Sequence, residues 1–489
     1  AAPARARRAR VRRMSLVALL LALSNGSEDW LRFRGPEGAG RAPGATRYPA
    51  VLNLEKNLAW SSELPAGSSS PCVTSELVIV TGVRGQELVT LALERASGKM
   101  AWSRSLAAPA LEKTHEIHGP AAPTPTSDGN VVVSYFGSFG LVAHDLAGKE
   151  LWRRPLATPK NPFGTAAAPV IGEGMLIFVH DAEEGSFLEA LEPASGETLW
   201  KQDRSAFKSG WSTPGTRAVD GGLELLVLGV NELTAYDLAS GEERWSYPGL
   251  TDEPITTPIH GGGLVFATSY NLKTNSDAMS LWPWERVLTE HDLDGDGALD
   301  RAEAEKNASV LSRPDADGEG DHPLTLFWRF LDVDRDGKIV AAEYPKLEQW
   351  VASWEHLNGI VALRPGADGK GAELAWHYPR GVPECPTPLH HDGRITMVMN
   401  GGVVTSLDAA TGALVFQERL PARGPYYASD GKLYAASARG ELTVFAAGKQ
   451  LEVLSTLDLD ERLMATPALA DGTLYVRTET RLYAFRTPG

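Results

Sequence analysis

Two twelve-residue stretches hold the side chains best suited to chemistry. "DLDGDGALDRAE" runs from Asp292 to Glu303 and "DVDRDGKIVAAE" from Asp332 to Glu343. Both match the loop D-x-D-x-D-G-x5-E in full, a pattern that wraps oxygen donors around one hard cation. In the first loop Asp292, Asp294 and Asp296 stand at positions 1, 3 and 5. The Ala298 carbonyl stands at position 7, Asp300 acts at position 9 through water, and Glu303 closes the site with both oxygens. The second loop repeats this with Asp332, Asp334, Asp336, the Lys338 carbonyl and Glu343, while water replaces the missing oxygen of Val340. Gly297 and Gly337 supply the sharp turn. An all-oxygen donor set selects Ca²⁺, so two calcium ions in a structural or regulatory role are the expected cofactors. At millimolar Ca²⁺ and a dissociation constant of roughly 10 µM, the folded form would gain about 2.7 kcal/mol.

Such loops need helices on both sides. "LWPWERVLTEH" and "PLTLFWRFL" enter the loops, and "RAEAEKNASVL" and "AEYPKLEQWVASW" leave them. Trp284, Leu288, Phe327, Phe330, Leu331, Leu347 and Trp350 give these segments apolar faces. Leu299 and Ile339, each at position 8, are placed to join the loops through a short β contact. Between the loops, "RPDADGEGDHP" (313–323) resembles a third loop, but twelve positions from Asp315 falls on Leu326, so it reads as a linker.

Around this module the chain repeats itself. "LALERASGKMAW" ends at Trp102, "VAHDLAGKELW" at Trp152, "LEALEPASGETLW" at Trp200, "LTAYDLASGEERW" at Trp245, "LRPGADGKGAELAW" at Trp376 and "VTSLDAATGALVF" at Phe416. Each phrase is a strand, a glycine-bearing turn and a strand closed by a large apolar residue, hence a hairpin. A small residue and a proline precede each hairpin, at Pro71, Pro125, Pro169, Pro214, Pro258, Pro388 and Pro467. Proline lacks an N–H and belongs at a strand's start. Units of four antiparallel strands, about 45 residues apart, are the signature of a β-propeller.

The fold class is therefore all-β: an eight-bladed propeller of four-stranded antiparallel blades, with a small α-helical EF-hand pair inserted in blade 5. Seven units are complete. The eighth joins "MATPALADGTLYVRTETRLYAF" to the orphan strand "NLAWSSELP" (57–65), which carries Trp60 and closes the ring. The repeat tryptophans are expected to pack between blades. "PYYASDGKLYAAS" (425–437) lacks the proline and several residues, so the inner strand of blade 7 is expected to be short or irregular. The domains run 1–24 (signal peptide), 25–274 (first part of the propeller), 275–356 (insertion) and 357–489 (second part).

The opening residues differ in kind. Six arginines between Arg5 and Arg13 precede "LVALLLAL" and then "SNGSEDW", the order of a secretory signal cleaved near Ser24, with an organelle transit peptide as the other reading. Eight apolar residues cannot span a bilayer. Neither Cys72 nor Cys385 lies beside the signal, so no lipid anchor at a mature N-terminal cysteine is expected. Without the six arginines, 41 basic residues face 62 acidic ones, and the net charge moves from −15 to −21. Such a surface disfavours nucleic acid and tolerates cations. The expected location is extracytoplasmic, periplasmic or secreted.

With "DWLRFRGPEGAG", "SYFGSFGLVAHDLAGKELW", "EGSFLEALEPASGETLW", "GWSTPG", "RGVPECPTPL" and the C-terminal half-blade, the chain resembles pyrroloquinoline-quinone-like (PQQ-like) propeller repeat proteins, in particular an exported bacterial subfamily with an inserted EF-hand pair. The resemblance implies the fold and leaves the activity open. Quinoprotein dehydrogenases of this fold stack PQQ on a disulfide between adjacent cysteines; no adjacent pair exists here, which disfavours PQQ. A binding or scaffold protein taking a protein, peptide or glycan at the channel mouth is the favoured reading. The segments before the inner strands carry His118, Phe163, Trp211, Glu253, Glu384, Tyr426 and Arg462 for that purpose. A hydrolase or lyase on saccharides at the same mouth, using His115 and His118 of "KTHEIHG", is the third reading.

Overall fold

The computed structural model describes residues 29–42, 47–115, 117–271, 280–306, 310–312, 324–326, 328–332, 334–347, 357–366, 369–399, 401–420, 426–429 and 432–487. The expected leader 1–24, the linker 313–323, Phe327 and Trp350 lie outside them, as do the side chains of Phe330 and Tyr426.

Eight four-stranded antiparallel sheets form the blades of a propeller. Blade 1 is built from Cys72–Val73, Leu77–Arg84, Glu87–Glu94 and Met100–Ala107, and blades 2, 3, 4, 6 and 7 likewise use four consecutive strands. Blade 8 takes three strands from the C-terminal end and its outer strand, Leu58–Glu63, from near the N-terminal end. Ser61 lies opposite Tyr483 and Ser62 opposite Leu482, so the ring closes through a sheet. Closure matters because an open end would expose unpaired backbone groups.

The blades stack through apolar layers. Val170, Ile177, Val179, Leu188 and Ala190 of blade 3 form one buried cluster with Leu225, Val227, Tyr236 and Leu238 of blade 4. The repeat tryptophans seal the outer seams. The Trp102 indole donates to the Leu146 carbonyl of the next blade at 2.8 Å, Trp152 to Pro193 at 2.8 Å, Trp200 to Leu238 at 3.1 Å and Trp60 to Arg95 at 3.1 Å. Each ring also covers the glycine of the turn it reaches. A Cβ on Gly148 would come within 2.6 Å of Trp102, and the residue's φ of 78° already favours glycine. Trp245 departs from the pattern and donates to Glu224 of its own blade at 3.1 Å.

The hydroxyls before the strand-initial prolines bond around the inner ring. Thr124 accepts from the Ser70 amide, Ser70 from Thr466, Thr213 from Ala168 and Thr387 from Thr257. This explains the recurring small residue before proline: it satisfies a backbone donor of the neighbouring blade. One expectation fails. The inner strand of blade 7, Tyr426–Ser429, is four residues long and pairs with Leu433–Ala436 without a register shift, whereas the inner strand of blade 1 has two residues. The missing proline marks no defect, because backbone pairing needs no particular side chain.

Blade 5 is interrupted between its second strand, Leu264–Ser269, and its third, Gly359–Pro365. The interrupting segment buries a separate cluster that includes Trp282, Val287, Leu299, Leu324, Trp328, Leu331, Ile339, Tyr344 and Leu347. Among the described residues its helices include Trp284–His291, Arg301–Ala304 and Trp328–Leu331.

The segment Trp30–Arg41 is the least expected part of the fold. It runs across the inner ring and bonds to five blades. Trp30 forms a bridge with Val73, and the Leu31 carbonyl accepts from the Ser127 amide at 2.8 Å. Arg32 donates to Thr216 at 2.8 Å, and Arg34 to the carbonyls of Thr387 and Pro388 at 3.4 and 2.9 Å. Glu37 faces His260 at 3.4 Å. Trp30 and Arg34 are fully buried.

Candidate functional site

Two places gather functional side chains. The first is the pair of acidic loops. Their β contact forms as the spacing requires: Leu299 lies opposite Ile339 between Ala298–Asp300 and Lys338–Val340. Leu299 and Ile339 are both fully buried, so this contact anchors the loops to the insertion's core. Both loops turn through left-handed residues at positions 4 and 6, Gly295 and Gly297 in one, Arg335 and Gly337 in the other.

Carboxylate oxygens of Asp292, Asp294 and Asp296 lie within 4.8 Å of one another, and so do those of Asp332, Asp334 and Glu343. In the first loop Glu303 is buried and accepts from the amides of Leu293 and Asp300 at 2.7 and 2.9 Å. Asp300 returns a capping bond to the Glu303 amide at 2.9 Å. In the second loop Glu343 is likewise buried and accepts from Val340 at 3.2 Å. The Trp328 indole donates to one oxygen of Asp332 at 3.1 Å, while the other oxygen is buried without a hydrogen-bond partner. A buried carboxylate oxygen left in this state fits a cation ligand. Lys338 reaches across from the second loop to pair with Asp296 of the first, which holds the Asp296 carboxyl below its usual range.

The second place is a funnel over the Trp30–Arg41 segment, with Phe33 at its floor beside Thr124, Thr213, Thr387 and Thr466. One side is lined by His115, His118, Phe163, Trp211, Glu253, Glu384 and Cys385, and another by His118, Arg462 and Ser68. Six of the seven mouth residues read from the sequence therefore come together; Tyr426 contributes a described backbone only. The aromatic side is held rigidly. The Trp211 indole donates to the Gly164 carbonyl at 2.9 Å and its ring lies 5.3 Å from Phe163, whose other edge meets His115 at 5.6 Å. Burial lowers the His118 pKa and so favours its neutral imidazole.

Sequence reasoning missed two lining residues and one buried acid outside the lining. Phe33 and Ser68 carry no local signal for the funnel. Glu112 sits behind the His115 loop, accepts from Thr165 at 2.9 Å, and leaves its other oxygen buried and unpartnered. Burial pushes its pKa up to about 7. Cys72 is fully buried, and no disulfide joins it to Cys385.

The family model described as outer membrane protein assembly factor BamB matches residues 38–180, 92–286 and 400–487. The chain belongs to this PQQ-like propeller family. The acidic loops, 292–303 and 332–343, fall wholly in the stretch the family model leaves unmatched. A search of curated proteins returns no sequence match. Among solved structures, BamB from Moraxella catarrhalis aligns with a TM-score of 0.51 at 11% identity, over 88% of this chain and 98% of that one. A europium-containing methanol dehydrogenase aligns at 0.58 and 10% identity, over 96% and 100%. The quinohemoprotein alcohol dehydrogenase of Comamonas testosteroni aligns at 0.55 and 13%, over 97% and 82%. At such identities the likeness is one of fold, and assembly factors and dehydrogenases share it alike. Among the described residues no helix is long and apolar enough to cross a membrane.

Proposed function

We propose that this BamB-family propeller is an exported, calcium-carrying binding or scaffold protein without catalysis of its own. The supporting observation is the pair of acid clusters, Asp292, Asp294 and Asp296 in one loop and Asp332, Asp334 and Glu343 in the other, with Glu303 and Glu343 buried and the loops joined through Leu299 and Ile339. In this reading the insertion is an EF-hand pair. Asp292, Asp294, Asp296, Asp300, Glu303 and the Ala298 carbonyl hold one ion; Asp332, Asp334, Asp336, Glu343 and the Lys338 carbonyl hold the other. The ions supply positive charge that lets these carboxylates converge, so binding and ordering of the insertion are linked.

The funnel is the binding surface. Its floor is the protein's own Phe33, its aromatic wall is Phe163 and Trp211, and acids and a basic residue stand on its rim. Peptides and glycans both bind to rigid aromatic anchors ringed by polar groups. The quinone reading, the main enzymatic alternative, lacks the adjacent cysteine pair that quinone stacking uses in the dehydrogenases, and Cys72 donates instead to the Leu31 carbonyl at 3.2 Å.

The test has two arms. Adding 1 mM Ca²⁺ to chelator-treated protein should raise its melting temperature, and Glu303→Gln with Glu343→Gln should remove the rise. An immobilised peptide and glycan library should yield ligands whose binding is lost in Trp211→Ala. No calcium response, or product formation from a captured glycan, contradicts the proposal.

A further inference from the structure

One cation in the blade 8 to blade 1 seam stands out. Arg477 ends the strand Thr473–Arg477 and is fully buried. Its Nη1 donates to the carbonyl and hydroxyl of Ser69, but its Nε and Nη2 have no partner, and no ion pair reaches it among the described residues. Two other arginines lie as deep, and both are answered. Arg204 is clamped by both oxygens of Asp181 at 2.8 and 2.7 Å, and Arg34 donates to four carbonyls. An uncompensated buried guanidinium is expensive, and burial alone lowers its pKa to about 9.

Arg477 stands directly behind the funnel wall. Its Nη2 lies against Gly67, where any Cβ would collide with it. Gly67 and Ser68 line the funnel beside His118 and Arg462, and the Ser68 hydroxyl is also buried without a partner. Of the unmet groups at this wall, Arg477 Nε and Nη2 can only donate, and the Ser68 hydroxyl is able to donate. Apart from Glu479, the rest of the lining, Val83, Ile117, Ala121 and Met464 among it, is apolar.

We propose that this part of the funnel is an anion subsite that takes a carboxylate, with Ser68, its hydroxyl rotated into the funnel, as the direct donor and Arg477 as the buried counter-charge behind it. One unpaired cation balances one negative charge, which favours a carboxylate over a doubly charged phosphate. The apolar lining suits the carbon chain that carries it. Glu479 on the rim repels a doubly charged anion more strongly than a singly charged one. The proposal rests on the reading of the funnel as a binding surface and adds the ligand's chemistry.

Calorimetry at constant ionic strength with the full chain tests it, using acetate, inorganic phosphate, N-acetyl-trialanine with a free C-terminus, and the same peptide as its C-terminal amide. Saturable binding of the free-acid peptide at least tenfold tighter than of its amide, weakened tenfold by Ser68→Ala and abolished by Arg477→Met, is expected. If Arg477→Met does not fold, Ser68→Ala alone carries the test. Acetate binding as tight as the peptide assigns the site to small acids, and weaker acetate binding assigns it to peptide C-termini. Equal binding of acid and amide, tighter binding of phosphate, no binding at all, or indifference to Ser68→Ala overturns the proposal. A funnel ligand that depends on Trp211 but not on Ser68 would overturn this inference and leave the binding-surface reading standing.

Discussion

Burial pushes the Glu112 carboxyl up to about 7, from an unfolded value near that of an exposed glutamate. A carboxyl whose folded pKa is raised favours the fold while protonated. Its stabilisation is complete below the unfolded pKa and is lost as pH rises through about 7. Glu112→Gln should therefore melt like the wild type at pH 4.5 and above it at pH 8; equal melting at both pH values contradicts this assignment. Lys338 offers a second residue-scale prediction. Its ammonium neutralises Asp296, which we propose as a first-loop ligand, and must leave before a cation can use that oxygen. Lys338→Met should tighten Ca²⁺ binding at one of two sites several-fold, and unchanged or weaker binding in calorimetry argues against the competition. The sequence showed the two acidic loops and their contact through Leu299 and Ile339 because their spacing is local. It could not show the Lys338 pairing or the Arg477 environment, which depend on residues brought together from different turns and blades.

At the scale of elements, the seam between blades is a tryptophan set on a glycine turn. Trp102→Ala should cost about 3 kcal/mol in denaturant unfolding, since it removes a large buried ring. Trp102→Phe should cost about 1 kcal/mol, chiefly the hydrogen bond to Leu146. Equal losses would mean that the indole N–H, not the ring, holds the seam. These hairpins were legible because strand, turn and tryptophan recur within a dozen residues. The regular inner strand of blade 7 was not, because its ladder is made by backbone and needs no proline. The Trp30–Arg41 segment was illegible for another reason: it has no periodicity, and its partners lie far along the chain, Arg34 bonding to Pro388 across 354 residues.

At the scale of the molecule, closure by Leu58–Glu63 and bracing by Trp30–Arg41 make the ring one cooperative object. A chain beginning at Leu64 loses both and leaves an edge strand bare. It should melt at least about 10 °C lower than the whole chain, as expected from a loss of several kcal/mol; an unchanged melting temperature would show that the ring holds without its N-terminal segment. The same segment gives the funnel its floor, so the part of the chain that braces the blades also shapes the surface offered to a ligand.

The calcium claim is met most directly by counting metal. After equilibrium dialysis against millimolar Ca²⁺ and elemental analysis, the chain should carry two ions, Glu303→Gln and Glu343→Gln should each retain one, and the double substitution should retain none. A wild-type chain that carries no calcium, or a double variant that still carries two, would contradict it.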